Sequence, residues 1–222
     1  MPVRWVVFDL NGTLVDPSVM AAGIGDSAAD EELVIGAIDD AVAQAMVATL
    51  TGVETPFKEL FAAGMRRRIV LSGRTPDLAD AALDLMGSMP AYLEAPAALE
   101  RLRGEGLHLA VLSQSAVESA DAVLRFAGLR DRLELVMSAQ EARAFKPDPR
   151  PYRMALERTG ADAGEVCFVA VHWWDVAGAK RVGMRTAWVA RRERLLLESV
   201  PPPDVQGRDL SEVAEAIVAQ LA

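Results

Sequence analysis

The sequence predicts an α/β protein: a parallel sheet flanked by helices, with an all-helical segment inserted after the first strand. Three observations carry this expectation. Val3-Arg4-Trp5-Val6-Val7-Phe8 is an apolar, β-branched and aromatic run that stops at Asp9, and Asn11-Gly12 then breaks the chain. From Ala91 onward, strand-like and helix-like stretches alternate. Between Asp16 and Pro90 no strand-like run appears.

The first strand places a carboxylate at its carboxyl end, where open α/β sheets bind ligands. Residues 17–28 contain Pro17, Gly23 and Gly25 and predict a loop or hinge. Leu33, Ile35, Ile38, Val42, Met46 and Leu50 recur at helical spacing and predict a helix over 29–50. Glu31 and Glu32 near its start suit the helix dipole. A second helix is predicted from Thr55-Pro56 to Leu71, with Pro56 in its first turn and Phe57, Leu60, Phe61 and Met65 as its apolar stripe. A third begins at Thr75-Pro76-Asp77 and carries Leu78, Leu83, Leu85 and Met86. The predicted division is an α/β core at 1–15 and 91–222, with a helical cap at 16–90.

In the core, Pro96 opens a helix that Gly104-Glu105-Gly106 ends. Leu107 to Leu112 is a predicted strand ending at Ser113, and Val117 to Phe126 a helix closed by Gly128. Leu133 to Met137 predicts a short strand, and Tyr152 to Thr159 a helix closed by Gly160. Val166 to Val171 is the next strand, followed by a helix over Asp175–Val182 and a strand at Arg185–Val189. Pro201-Pro202-Pro203 breaks the chain, and Leu210 to Leu221 closes it as an amphipathic helix.

The 222 residues carry a net charge of −9, which gives no basic surface for nucleic acid or an anionic membrane. A small anionic substrate must therefore be drawn in by local groups. Cys167, the only cysteine, lies in the apolar run Val166–Val169. It reads as a packed small hydrophobe in a reducing compartment. No signal-peptide pattern opens the chain and no stretch reads as a membrane span. A soluble cytoplasmic protein is expected, and a homodimer is left open.

Four stretches carry chemistry: Asp9-Leu10-Asn11-Gly12-Thr13, Leu112-Ser113-Gln114-Ser115, Lys146-Pro147-Asp148-Pro149 with Tyr152, and Asp175-Val176-Ala177-Gly178-Ala179, preceded by Trp174. In this order they resemble the four motifs of the haloacid dehalogenase (HAD) superfamily, most closely those of L-2-haloacid dehalogenases. The resemblance covers the chain apart from residues 16–90. It implies a Rossmannoid HAD-like core and a hydrolase that works through a covalent aspartyl intermediate. Asp9 would be the nucleophile, attacking carbon with loss of halide or phosphorus with loss of an alkoxide, and water would then release the product. Lys146 would hold Asp9 ionised and attract the substrate, while Asp175 orients Lys146 or places the hydrolytic water. Leu10, Asn11 and Thr13 offer backbone and hydroxyl donors for an anion nest, with Ser113 and Gln114 beside them. Tyr152 matches an active-site tyrosine of the dehalogenases. His172 completes the substrate-binding set, with a structural role or a role as base as its alternatives.

Departures from the pattern bear on which chemistry is retained. Phosphatases of the family carry an acid two residues after the nucleophile; Asn11 cannot protonate a leaving group, and a halide needs no such proton. Val171 stands where their fourth motif has its first acid. The expectation is that no cofactor is required and that magnesium, if bound, is held weakly by Asp9, Asn11 and Asp175. The segment Asp39-Asp40-Ala41-Val42-Ala43 lacks the cap arginine with which dehalogenases receive halide, leaving Arg66, Arg67, Arg68 or Arg74 as substitutes. Hydrolysis of small 2-haloacids is the leading expectation. A magnesium-dependent phosphatase acting on small phosphate esters and a catalytically degenerate HAD-fold binding protein remain as alternatives.

Overall fold

The computed structural model describes residues 2–222. Its centre is a single parallel sheet of six strands in the order β3-β2-β1-β4-β5-β6. The strands are β1 Trp5–Phe8, β2 His108–Ser113, β3 Leu135–Ser138, β4 Val166–Ala170, β5 Arg185–Val189 and β6 Val205–Gly207. The chain builds outward from β1 through β2 to β3, then crosses to β4 on the other side. The order reverses at β1, so the crevice for a ligand lies at its carboxyl end.

Alternate residues feed two cores, one on each face. Val6, Phe8, Leu109, Val111 and Val169 face one side, where α4 (Ala95–Gly104), α5 (Val117–Phe126) and α8 (Leu210–Gln220) pack. Val7, Ala110, Leu112 and Phe168 face the other, beneath α6 (Pro149–Thr159) and α7 (Trp173–Arg181). Both faces are covered, which is why the strands read as continuous apolar runs. Cys167 lies in the first core, where burial pushes its thiol pKa up.

Two elements differ from expectation. β6 escapes the sequence pattern because it is three residues long and only Val205 is apolar and buried. Part of the expected loop over 17–28 is a 3₁₀ helix, Pro17–Gly23, started by Pro17 and capped by the Asp16 carboxylate, which accepts the Ser18 N–H at 2.9 Å.

Between β1 and α4 the described elements are all helical: that 3₁₀ helix, α1 (Ala28–Thr51), α2 (Phe57–Leu71), α3 (Asp77–Asp84) and a short 3₁₀ turn, Leu85–Ser88. Ser27 and Asp30 form a capping box that starts α1. By length and composition α1 is long and apolar enough to cross a membrane, contrary to the expectation that no stretch approaches a span. In the fold, its Val34, Ala37, Ala41 and Ala45 are buried in the shared core with Phe57, Phe61 and Met65 of α2. Two contacts tie the insert to the core: the Phe145 N–H donates to Thr49 Oγ1 at 2.9 Å and Arg192 pairs with Asp39 at 2.9 Å. The two ends of the insert are joined to each other, the Asp16 N–H donating to the Pro90 carbonyl at 2.9 Å.

Candidate active site

The site is built at the ends of β1, β2 and β4. The ladder continues one residue past β1, with the Asp9 N–H donating to the Val169 carbonyl at 2.9 Å, so the backbone of Asp9 is fixed. Gly12 then adopts a φ of +80°, a conformation open to glycine without penalty, and the turn brings Thr13 back beneath Asp9. The Thr13 hydroxyl donates to Asp9 Oδ2 at 3.0 Å and accepts the Val171 N–H at 3.2 Å, which joins the loops after β1 and β4.

Lys146 enters from the loop before α6. Its backbone is gripped by the Gln114 side-chain amide, which donates to the Lys146 carbonyl and accepts the Lys146 N–H, both at 2.9 Å. The ammonium donates to Asp9 Oδ1 at 2.8 Å, to Asp175 Oδ2 at 2.7 Å and to the Leu112 carbonyl at 3.0 Å. An ammonium has three protons, so its donor capacity is complete. Asp175 sits in the first turn of α7 and accepts the Tyr152 hydroxyl proton on its other oxygen. A Cβ at Gly178 would lie 2.6 Å from the Tyr152 hydroxyl, so the absence of a side chain there lets the tyrosine reach Asp175.

Burial shapes the charges. For Asp9, burial acts to raise the pKa, but Lys146 and then His172 outweigh it and hold the carboxyl below its ordinary range. For Lys146, burial acts to lower the pKa, and the carboxylates of Asp175 and Asp9 overcome it and raise it. Asp175 is raised, first by burial and also by the nearby Asp9 charge, against the pull of Lys146. Burial and the charge of Asp175 keep the Tyr152 phenol protonated well beyond its usual range. Asp9 is thus an ionised carboxylate in a dry setting, held by fixed donors.

His172 closes the site from the end of β4. Its ring stacks on Trp174 with centroids 4.8 Å apart. Nδ1 lies 3.2 Å from Asp9 Oδ2, in charge contact but off the line of a formed hydrogen bond, and it has no hydrogen-bond partner among the described residues. Nε2 lies on the Gly12 side.

A cavity opens above Asp9, between the sheet end and the helical insert. The core contributes Asp9, Asn11, Gln114, His172 and Trp174 to its lining, and the insert contributes Ile38, Val42, Phe57 and Phe61. Ser115, Ala116 and Ser119 bring in the start of α5, whose first turn has no side-chain cap. Among the described residues, Asp9 is the only carboxylate in the lining, and Lys58 and His172 are the only basic side chains. The Asn11 Oδ1 is buried without a partner, as befits a group that meets a ligand.

The expected set therefore divides in two. Asp9, Asn11, Gln114 and His172 reach the cavity. Lys146, Asp175, Thr13, Ser113, Tyr152 and Leu10 lie behind its wall. Lys146 does not present its ammonium to a substrate, because all three protons are engaged inside. The Ser113 hydroxyl accepts the Ser115 N–H at 3.1 Å and shapes the turn, leaving Ser115 to face the cavity. Leu10 is buried in the core.

The four candidate arginines do not substitute for a cap arginine. Arg67 and Arg68 both pair with Asp40, Arg66 pairs with Asp80 and Arg74 with Asp30, and none lines the cavity. Lys58 is the cavity cation instead. In the sequence it looks like one more exposed lysine, with no signal to single it out.

Lys146, rather than a metal, is the cation that Asp9 and Asp175 share here. Oxygens of Asp9 and Asp175 and a His172 nitrogen do lie within 4.8 Å of one another. Yet the Lys146 ammonium bridges the two carboxylates, both Asp175 oxygens already accept protons, and Val171 offers none. Magnesium takes an octahedron of oxygen ligands; with the Lys146 ammonium already neutralising Asp9 and Asp175 and no acid at Val171, little negative charge is left to hold a divalent ion.

A family profile described as haloacid dehalogenase-like hydrolase matches residues 3–183. (S)-2-haloacid dehalogenase 1 of Pseudomonas sp. (strain CBS-3) is 31% identical over 223 residues, covering 98% of this chain and 97% of that protein. The (S)-2-haloacid dehalogenase of Pseudomonas sp. (strain YL) is 36% identical over 124 residues, 56% of this chain and 53% of that protein, so this match spans about half its length. The solved structure of L-2-haloacid dehalogenase from Xanthobacter autotrophicus with chloropropionic acid covalently bound is similar at a TM-score of 0.87, with 25% identity and coverage of 99% and 100% of the two chains. The profile and the full-length relative agree with the lysine-bridged carboxylates at the end of β1: this chain belongs to the haloacid dehalogenase-like hydrolase family.

Proposed function

We propose that the protein hydrolyses the carbon–halogen bond of small 2-haloacids through an ester on Asp9, without a metal or other cofactor. One observation carries this reading: among the described residues Asp9 is the only carboxylate lining the cavity, so no second carboxylic acid stands beside it to protonate a leaving alkoxide as it departs from the substrate. Asn11, at the position where phosphatases of the family carry that acid, has no acidic proton to give. A halide leaves as a stable anion and needs no proton, so it is the leaving group this site can release. The likeness to haloacid dehalogenases, one of them with chloropropionic acid covalently bound, supports the same chemistry.

In this mechanism the substrate carboxylate rests against the uncapped first turn of α5, with Ser115 and Ser119 beside it and Lys58 supplying positive charge. Ile38, Val42, Phe57 and Phe61 surround the carbon chain and halogen and keep water out. Asp9 displaces halide at C2 with inversion, forming the ester. Lys146 and Thr13 hold the carboxylate at its attack angle throughout. Residues 16–90 act as the cap whose helices set substrate size. The single buried thiol, Cys167, suits a reducing, cytoplasmic setting.

The test is an assay of 2-chloropropionate, 2-bromopropionate, fluoroacetate and phosphate esters, each with magnesium and with EDTA. Halide release unaffected by EDTA is the expected result. Phosphate release that EDTA abolishes would establish the phosphatase instead. Lys58→Ala should raise KM for 2-haloacids about two- to fivefold, the worth of one exposed charge contact, with kcat little changed; steady-state kinetics on the variant checks this.

A further inference from the structure

We infer that His172 is the base that activates water for hydrolysis of the Asp9 ester. The inference rests on the covalent mechanism proposed above and concerns its second half. Few groups around Asp9 are free to take a proton. The three Lys146 protons go to Asp9, Asp175 and the Leu112 carbonyl. Both Asp175 oxygens accept, one from Lys146 and one from Tyr152, and Tyr152 has given its only proton. The Thr13 hydroxyl donates to Asp9 and accepts from Val171. Every polar side chain touching Asp9 is thus fully engaged except His172, whose Nδ1 is buried, unpartnered and 3.2 Å from Asp9 Oδ2.

His172 also has the access that the others lack. It lines the cavity, whereas Lys146, Asp175, Thr13 and Tyr152 do not. A water that follows the departing halide into the cavity meets the ester carbon of Asp9 and the imidazole together. The charged groups facing His172 are Asp9 from the end of β1 and Glu193 from the loop after β5, whose Oε2 is likewise buried without a partner. Trp174 stacks on the ring and holds its plane.

The step balances within the site. In the tautomer protonated on Nε2, the Nδ1 lone pair takes a proton from water as its oxygen bonds to Cγ of Asp9. The tetrahedral intermediate collapses by breaking the bond between Cγ and the ester oxygen. The departing 2-hydroxyacid oxygen takes that proton back from the imidazolium, and Asp9 is left as a carboxylic acid carrying the water oxygen; its remaining proton passes to the freed Nδ1 of His172 and from there to solvent, which restores the carboxylate.

The experiment is single-turnover kinetics with 2-chloropropionate on wild-type protein and His172→Asn. Halide release and the Asp9 adduct, seen by intact-protein mass, are followed separately. Asparagine keeps an amide near the Nδ1 position but cannot accept a proton. Halide release in the variant should stay within a few-fold of wild type, while adduct hydrolysis slows on the order of 10²–10⁴-fold, the usual worth of a general base. His172→Ala should regain hydrolysis when imidazole is added, which a variant with a damaged fold would not. Adduct hydrolysis in His172→Asn at the wild-type rate, or no recovery of His172→Ala by imidazole, would overturn the inference while leaving the covalent mechanism intact. Wild-type protein that releases no halide and carries no adduct would overturn the mechanism and the inference with it.

Discussion

Asp9→Asn is expected to abolish halide release, by on the order of 10⁴-fold or more, with the fold retained. The neutral amide is a far poorer nucleophile than the carboxylate, and no other acid in the cavity lining can replace it. The side chain keeps its shape, and its carbonyl oxygen still accepts from the Lys146 ammonium. Circular dichroism and thermal unfolding close to wild type, together with loss of chloride release from 2-chloropropionate, would bear this out. Measurable multiple turnover would mean that the nucleophile lies elsewhere.

Lys146→Met is expected to be as damaging to activity and far more damaging to stability. The lysine is wholly buried and bridges two buried carboxylates, so its removal leaves Asp9 and Asp175 facing each other without a cation. Breaking a buried pair in this way costs about 3–5 kcal/mol, or roughly 6–20 °C in Tm for a chain of this size. The pH dependence follows from the shifts. The lowered pKa of Asp9 stabilises the fold above the ordinary carboxylate range, and this is lost as pH falls through the folded value. The raised pKa of Lys146 stabilises the fold below the ordinary lysine range, and this is lost as pH rises through the folded value. Lys146→Met should weaken both contributions, flattening the stability profile between these limits. Adding Asp175→Asn should recover part of the lost stability, because it removes one of the two stranded charges. Denaturant unfolding of the single and double variants measures this; equal loss in both would mean that the carboxylates are not the source of the penalty.

The parts of the site visible in the sequence are those signalled by local pattern. Asp9 is marked by an apolar run and the Asn-Gly break, and Asp175 by its place after the run Val166–Val171. The motif order then points to Lys146, although 137 residues separate it from Asp9 and 29 from Asp175. Which acceptors the ammonium meets is a tertiary matter, and so is its position behind the cavity wall. Tyr152 and Thr13 are recognisable as site residues, but only their packing turns them from substrate contacts into supports for Asp175 and Asp9. The cavity wall is less visible still. Phe57 and Phe61 read as an ordinary helical stripe, and Lys58 between them as a solvated charge, until α1 and α2 fold over the sheet end. The arginines of α2 show the converse. A conspicuous cluster in sequence pairs with Asp40 and Asp80 and never reaches the site. β6 shows the limit of pattern for the fold, since a strand of three residues with one buried apolar side chain leaves no period to read.

In the covalent route, Asp9 attacks the substrate and becomes an ester. A single turnover in oxygen-18 water with protein in excess addresses it directly. The first 2-hydroxyacid released should carry ordinary oxygen, taken from the Asp9 carboxylate, while the label enters Asp9, the site to which peptide mass spectrometry should trace it. A first product fully labelled from water, with an unlabelled Asp9, would contradict the account: water would then attack the substrate itself, and Asp9 would serve only as its base.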